Sequence, residues 1–352
     1  MPTNKVLDLR LQNESIPYSA DIMIQRSTFY EELQNSERLD LRDNRGKRHN
    51  MPFVLLGVAI SLLRKRDGTL SSIHRSIRNK HEEFCAFLGL TDQPIISRSH
   101  LPILLSKVNL KEFESLLFKH YQFNLDTQQQ SWFATDGKEL RGSITKGSKR
   151  GEVLVQVVEQ ETREVIAQSY YSGKKESEKT CVQELLADQH LLDQQITADA
   201  LHLSPAMTVP IQEAGGKYLI GLKKNQRALY QDMVSTSDYL PIVQLANTVE
   251  KGHGRSDSRM YIHYDISKCD FDKRWNKSGF RSLFKVNRES MELDTGKTRS
   301  EVSYYISNVE PNQEQDYFRV IRKHWSVEVN NHIRDVTLDE DSLRTKKMMS
   351  QK

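Results

Sequence analysis

Cysteine is scarce in this chain of 352 residues: Cys85, Cys181 and Cys269 are the three, and none lies in a C-x-x-C pair or beside a ligand-like cluster. That excludes a disulfide framework and a thiolate metal site, and reads as free thiols in a reducing compartment. Long apolar runs are missing too. The longest, residues 52–60, falls far short of the roughly 18–20 residues that a membrane helix needs. The amino-terminal stretch MPTNKVLDLRLQNES has no apolar segment of the kind a secretion signal requires. A cytoplasmic protein with no membrane partner is expected. With 16 Gly and 9 Pro the chain is not low-complexity. Charge of one sign is lacking as well, since 51 Lys and Arg against 47 Asp and Glu leave +4. This balance excludes an acidic solvating chain and leaves a nucleic-acid partner open, because local basic clusters hide in a weak net charge.

What is present divides the chain into five parts. Residues 1–50 are polar and charge-mixed and read as an arm or linker. Residues 51–127 repeat apolar residues at helical spacing (Val54, Leu55, Val58, Ala59, Leu62; Phe113, Leu116, Leu117), broken by Gly68, Gly89 and Pro94. They predict a small helical domain whose polar face, including Arg64, Lys65, Arg66, His74, Arg75, Arg78, Lys80 and His81, is either solvated or turned to DNA. Residues 128–235 read strand, hairpin, helix, strand, helix, strand, which is a mixed α/β sheet with helices on its faces. Residues 236–310 are β-rich and basic, and residues 311–352 regain helical spacing through Tyr317, Phe318, Ile321 and Trp325.

Two acids occupy comparable places. Asp136 follows the apolar run Trp132 to Thr135, and Asp199 follows Gln195 to Ala198. At the carboxyl ends of neighbouring strands such side chains converge on one crevice. Two carboxylates aimed at one point call for a cation, and hard divalent ions prefer oxygen ligands plus substrate phosphates. A strand-end Asp also makes turns, so both readings stand at this point. A third acid, Glu328, lies in a helical stretch that could lie against the sheet. Three carboxylates could hold two metal ions and run an in-line displacement at phosphorus.

The block TDGKELRGS at residues 135–143 resembles the DGK-x-LRGS block of bacterial insertion-sequence transposases of the ISAs-type, or H-repeat-associated, branch. ITADA at 196–200, GGKYL with LKKNQ at 215–226, HGR at 253–255, and HWSVE with DVT and ED at 324–341 match further blocks in order. The resemblance implies an RNase H-like catalytic core interrupted by the β-rich insertion, preceded by a helical N-terminal domain. It implies a DDE triad of Asp136, Asp199 and Glu328 as catalytic residues and ligands of two Mg²⁺ ions, with Mn²⁺ as a substitute. It also implies DNA as partner (terminal inverted repeats and target), a homodimer on DNA and a bacterial, nucleoid-associated location. The pattern departs in places. Related transposases carry a Tyr-Arg-Glu-Lys signature, yet His324 stands four before Glu328 and Asp335 seven after it. The family pattern continues with an Asn-containing loop and an apolar helix, so a truncated tail is expected.

Residues 273–288 carry six basic side chains, no acid, and the interleaved Trp275, Phe280 and Phe284. Lys and Arg neutralise phosphates, and an aromatic can stack on a base. Expected DNA contacts are therefore Lys273, Arg274, Trp275 and Arg281 here, Lys138 and Arg141 after the first acid, Lys223, Lys224 and Asn225 after a strand, His253 and Arg255, and His324 beside Glu328. Ordinary core aromatics and solvated charges are the competing reading for each cluster. Trp325 is expected in the core. An RNase H-like nuclease without strand transfer, or an inactive, domesticated transposase that only binds DNA, are the alternative functions.

Overall fold

A computed structural model describes residues 29–64, 69–91, 93–120, 131–144, 151–171, 178–252, 254–313 and 315–336. The chain divides into two compact units, one of residues 1–64 and 70–122, the other of 65–69 and 123–352.

The first unit is helical: α1 (Met51–Arg64), α2 (Leu70–Asn79), α3 (His81–Phe87), α4 (His100–Leu105) and α5 (Leu110–His120). Its core joins Phe53, Val54, Ile73, Ile77, Phe84, Leu101 and Leu104. Residues 29–50 do not behave as a loose arm. Phe29, Tyr30, Leu33 and Leu39 are buried in that same core, and Asp40 bridges to Val108. The apolar residues are few but spaced to reach one face, which a composition average hides. Of the expected polar face, His81 is buried, His74 Nε2 lies 2.9 Å from the Ile96 carbonyl, and Lys80 pairs with Glu83; Arg75 and Arg78 are exposed. Lys65 and Arg66 lie outside the described residues.

The second unit is built on one nine-stranded sheet: β1 (Trp132–Leu140), β2 (Glu152–Glu159), β3 (Val165–Tyr171), β4 (Gln195–Ala198), β5 (Lys217–Leu222), β6 (Ile242–Gly252), β7 (Arg255–Asp265), β8 (Ser282–Glu292) and β9 (Thr298–Ser307). Its order is β3-β2-β1-β4-β5-β9-β8-β7-β6. β1, β2 and β3 form an antiparallel meander, while β4 runs parallel to β1 and β5 parallel to β4. This is the RNase H-like arrangement that the motifs imply. Near-continuous apolar runs such as VLVQVV in β2 fit strands covered on both faces. One face is covered by α6 (Glu178–Asp188) and α7 (Pro205–Glu213), through Val182, Leu186, Met207 and Ile211. α8 (Arg227–Thr236) adds Leu229 and Met233 to that core. The other face carries α9 (Tyr317–Lys323), through Tyr317, Phe318 and Ile321, and α10 (Ser326–Val336), through Val327.

The β-rich insertion is an extension of this sheet. β9 pairs antiparallel with β5, Tyr304 opposite Leu222, and β8, β7 and β6 follow outward. Beyond Tyr304 the strand β9 has six more residues back to Thr298, roughly 20 Å at strand rise. The strand ends at Gly252, Arg255, Glu292 and Thr298 therefore project past the carboxyl end of β5. Trp275 is fully buried, its ring tilted at 42° to that of Phe280 with 5.3 Å between ring centres, and Phe284 is buried too. These are core aromatics, not a base-stacking wedge: the short turn at 273–275 folds the ring under the sheet while its charged neighbours stay outside.

The Gly215-Gly216 stop after α7 has a stereochemical basis. Gly215 sits at φ +83°, and Gly216 N donates to the Ile211 carbonyl at 2.9 Å, closing the helix end. A Cβ on Gly216 would lie 2.2 Å from the Leu192 carbonyl oxygen, which is backbone and cannot swing away. Gly216→Ala is expected to cost more than about 1 kcal/mol, read as a lowered urea midpoint; an unchanged midpoint would show that the β4–β5 connection relaxes freely.

Candidate active site

The parallel register of β1 and β4 sets the first two acids side by side. Thr135 pairs with Ala198 as the last rung, so Asp136 and Asp199 are the next residues of two adjacent strands. β1 does not end at Asp136 as expected. It continues to Leu140 on β2, and Asp136 is where β4 drops away and the crevice opens. Asp199 caps the short turn after β4, its Oδ1 accepting from Leu201 N at 2.8 Å.

Glu328 comes from the first turn of α10, and the register of that helix on β1 is fixed at three levels. Val327 packs on Ala134. One turn on, Asn331 Nδ2 donates to Asp136 Oδ2 at 3.3 Å. Another turn on, Asp335 pairs with Lys138 Nζ at 2.5 Å. The helix spacings 328, 331 and 335 line one face, so Glu328 sits at the crevice end of this contact. Arg322 of α9 ties to Glu250 of β6 at 2.7 Å, and Arg259 binds the same carboxylate at 3.1 Å.

Crowded carboxylates show in their proton affinities. Burial pushes the Asp136 carboxyl up to about 7, opposed by a hydrogen bond from the Gly137 backbone and reinforced by the charges of Glu178, Asp199 and Glu328. Burial and Asp199 also raise Glu328, while Lys223 lowers it. The buried oxygens Gln156 Oε1, on the residue paired with Asp136 across β2, and Asn331 Oδ1 have no donor among the described residues. An all-oxygen, acceptor-rich and negatively charged set fits a hard divalent cation. As the side chains stand, no group of three His, Cys, Asp or Glu among the described residues closes tightly enough to grip one.

Several expected DNA contacts are placed otherwise. Lys138 is buried and engaged by Asp335, so it braces α10 and does not face solvent. The lysine two positions after the first acid thus occupies the partner role opposite the residue seven after Glu328. His324 is half-buried against the sheet: its Nδ1 lies 2.9 Å from Thr197 Oγ1, which also receives Gln160 Nε2 at 2.8 Å. Burial lowers its pKa to about 4, against the raising charge of Asp199, so the ring is neutral at pH 7 and offers a phosphate no positive charge. Arg281 is paired with Glu310 at 2.6 Å. Lys223, Lys224 and Asn225 are exposed after β5, and the Asn225 amide donates to the Ala200 carbonyl at 2.5 Å, tying that loop to the Asp199 turn. Lys273 and Arg274 are exposed, Arg274 lying 4.9 Å over the Trp275 ring. Arg255 is exposed at the projecting β6–β7 hairpin, and Arg141 is exposed after β1. His253 lies outside the described residues, as do Lys146, Lys149 and Arg150. Trp325, expected in the core, is 52% exposed, because the helix breaks between α9 and α10 and turns the ring outward. One residue beside these acids escaped the motif reading: Glu178, at the start of α6; His202, which follows Asp199 by three and could be read as a site contact, is buried beside it.

Residues 125–351 match the family model described as the transposase DDE domain. The chain belongs to this family. Within the DDE-domain family it is 29% identical over 231 residues to the Escherichia coli K12 protein named "H repeat-associated putative transposase YhhI", covering 61% of this chain and 58% of that one. It is 26% identical over 256 residues to "Putative transposase YncI" of Escherichia coli O157:H7, covering 69% and 64%. The chain thus spans about three fifths of the length of these relatives. Among the described residues no helix is long and apolar enough to cross a membrane.

The raised Asp136 carboxyl has a sign that can be checked. The folded state holds a proton that the unfolded state, near 3.8, releases, so this group lowers stability as pH rises from about 4 through about 7. His324 works oppositely: its lowered value removes stability as pH falls from 6.5 towards 4. Asp136→Asn is expected to raise the metal-free thermal midpoint at pH 8, by an amount worth several kcal/mol at most, and to have little effect at pH 5. A midpoint that drops at pH 8 would contradict the burial of this charge.

Proposed function

We propose that the chain is a DNA transposase: it hydrolyses phosphodiesters at the ends of a mobile element and joins the freed 3′-hydroxyl to target DNA. The observation that carries this reading is the level placement of Asp136 and Asp199 on adjacent parallel strands, with Glu328 delivered by α10. These three carboxylates are the residues that would hold two divalent ions, Mg²⁺ or Mn²⁺. Bound there, the ions supply a deprotonated water or 3′-hydroxyl on one side and neutralise the leaving oxygen on the other.

The protein's own groups do the positioning. Asn331 orients the Asp136 carboxylate through its amide hydrogen bond. Lys223 moderates the charge at Glu328 and stays exposed to meet a scissile-strand phosphate. Lys224, Lys273 and Arg274 extend that basic edge, and Arg141 and Arg255 lie exposed at the end of β1 and at the β6–β7 hairpin. Each such contact releases counterions, so affinity falls steeply with salt. The exposed ring of Trp325, three residues before Glu328, takes the base-stacking role that Trp275, sealed in the core, cannot. Neutral His324 keeps the covered side of the crevice free of competing charge. Synapsis of two element ends requires a homodimer on DNA.

The test uses the full chain, DNA bearing the element's inverted repeats and a target plasmid. Asp136→Asn, Asp199→Asn and Glu328→Gln are each expected to reduce Mg²⁺-dependent cleavage on the order of 10³-fold or more, the rate equivalent of several kcal/mol of charge stabilisation, with end binding retained. Cleavage at wild-type rate by any of them would sink the assignment, and cleavage without joined product would reduce it to a nuclease. Lys223→Ala is expected to weaken end binding and to flatten the slope of log affinity against log salt by about one unit. An unaltered slope would remove that contact.

A further inference from the structure

We infer that Glu178 is a fourth carboxylate of the divalent-ion site, held there by His202; this rests on the three-acid reading of that site. Three geometric facts support it. Glu178 opens α6, directly over the residue that follows Asp136: a Cβ built on Gly137 would lie 2.6 Å from Glu178 Cδ and 2.8 Å from Oε2. Only glycine at 137 leaves the carboxylate its place. Second, Glu178 Oε1 accepts from His202 Nε2 at 3.2 Å, and the same nitrogen lies 3.8 Å from Asp199 Oδ1. His202 is 1% exposed, so a buried imidazole N–H holds Glu178 in place with Asp199 close by. Third, no lysine or arginine pairs with Glu178 among the described residues, although its side chain is only 22% exposed. A largely covered carboxylate this close to a second one, with a single imidazole as partner, is short of positive charge. A bound divalent ion supplies it, and the fourth ligand widens the oxygen set at the Asp136–Asp199 end of the crevice.

The competing explanation is structural. An acid in the first turn of a helix is favoured by the helix dipole. That role affects folding alone and is indifferent to metal, so metal binding separates the two.

Mn²⁺ binding to the full chain, followed by the electron paramagnetic resonance signal of the free ion and by the Mn²⁺-induced rise in thermal midpoint, provides the readout. Glu178→Gln is expected to weaken Mn²⁺ binding at least tenfold and to shrink the thermal shift. Gly137→Ala, which pushes the Glu178 carboxylate aside, should do the same with Glu178 itself intact. His202→Gln should give a smaller loss in the same direction. If Glu178→Gln and Gly137→Ala bind Mn²⁺ like the wild type while Asp136→Asn does not, Glu178 is no ligand and the three-acid site stands without it. If Asp136→Asn also binds like the wild type, the three-acid reading fails and the inference falls with it. Should Glu178→Gln fail to fold, Gly137→Ala and His202→Gln decide the matter.

Discussion

The seating of α10 on β1 governs the second unit. Ala134, Asp136 and Lys138 point to one face of the strand, and Val327, Asn331 and Asp335 meet them at successive helical turns. An apolar contact, a hydrogen bond and an ion pair together leave the helix no alternative register. A shift of one turn would put Asp335 against Asp136 and leave Lys138 covered without an anion. The position of Glu328 follows from this fit.

That fit coexists with a deliberate imbalance of charge. Around Asp136 gather Glu178, Asp199 and Glu328, with Lys223 offsetting Glu328, while several other cations of the unit are paired with acids elsewhere. Lys138 is committed to Asp335, Arg259 to Asp257 and Glu250, and Arg281 to Glu310. His324 is held neutral. Folding energy from the two packed faces of the sheet offsets the repulsion, and what remains is a concentration of negative charge at one end of the parallel strands. This is the usual exchange of stability for binding at functional positions.

Much of this could be read in the residues alone. The runs at 132–135 and 195–198, each ending in Asp, are the two parallel strands whose pairing sets the acids level. The meander 152–171 and the Gly-Gly stop after 213 appeared where turn chemistry put them. What escaped depended on partners far along the chain. Basic residues in a window look alike whether an acid faces them or not, so Lys138 and Arg281 read as free cations. Trp275 and Trp325 exchanged roles because interleaved charge around the first and an apolar period around the second say nothing about which side of a short turn a ring will take. Glu178 lies just beyond a segment with no motif, and only the fold brings it over Gly137. The span 236–310 read as an inserted domain, since strand pattern does not reveal which existing edge a strand will join.

That last point has a consequence for how such a chain can change. The excursion after β5 runs to the far edge of the sheet and works inward, and β9 returns it beside the strand it left. Departure and return are therefore neighbours, and the length of the hairpins between them is free. Residues can be added to or removed from their tips in matched pairs without moving Asp199 or the start of α9. The reach of the ribbon past the carboxyl end of β5 is a dimension that can drift or be engineered independently of Asp136 and Asp199.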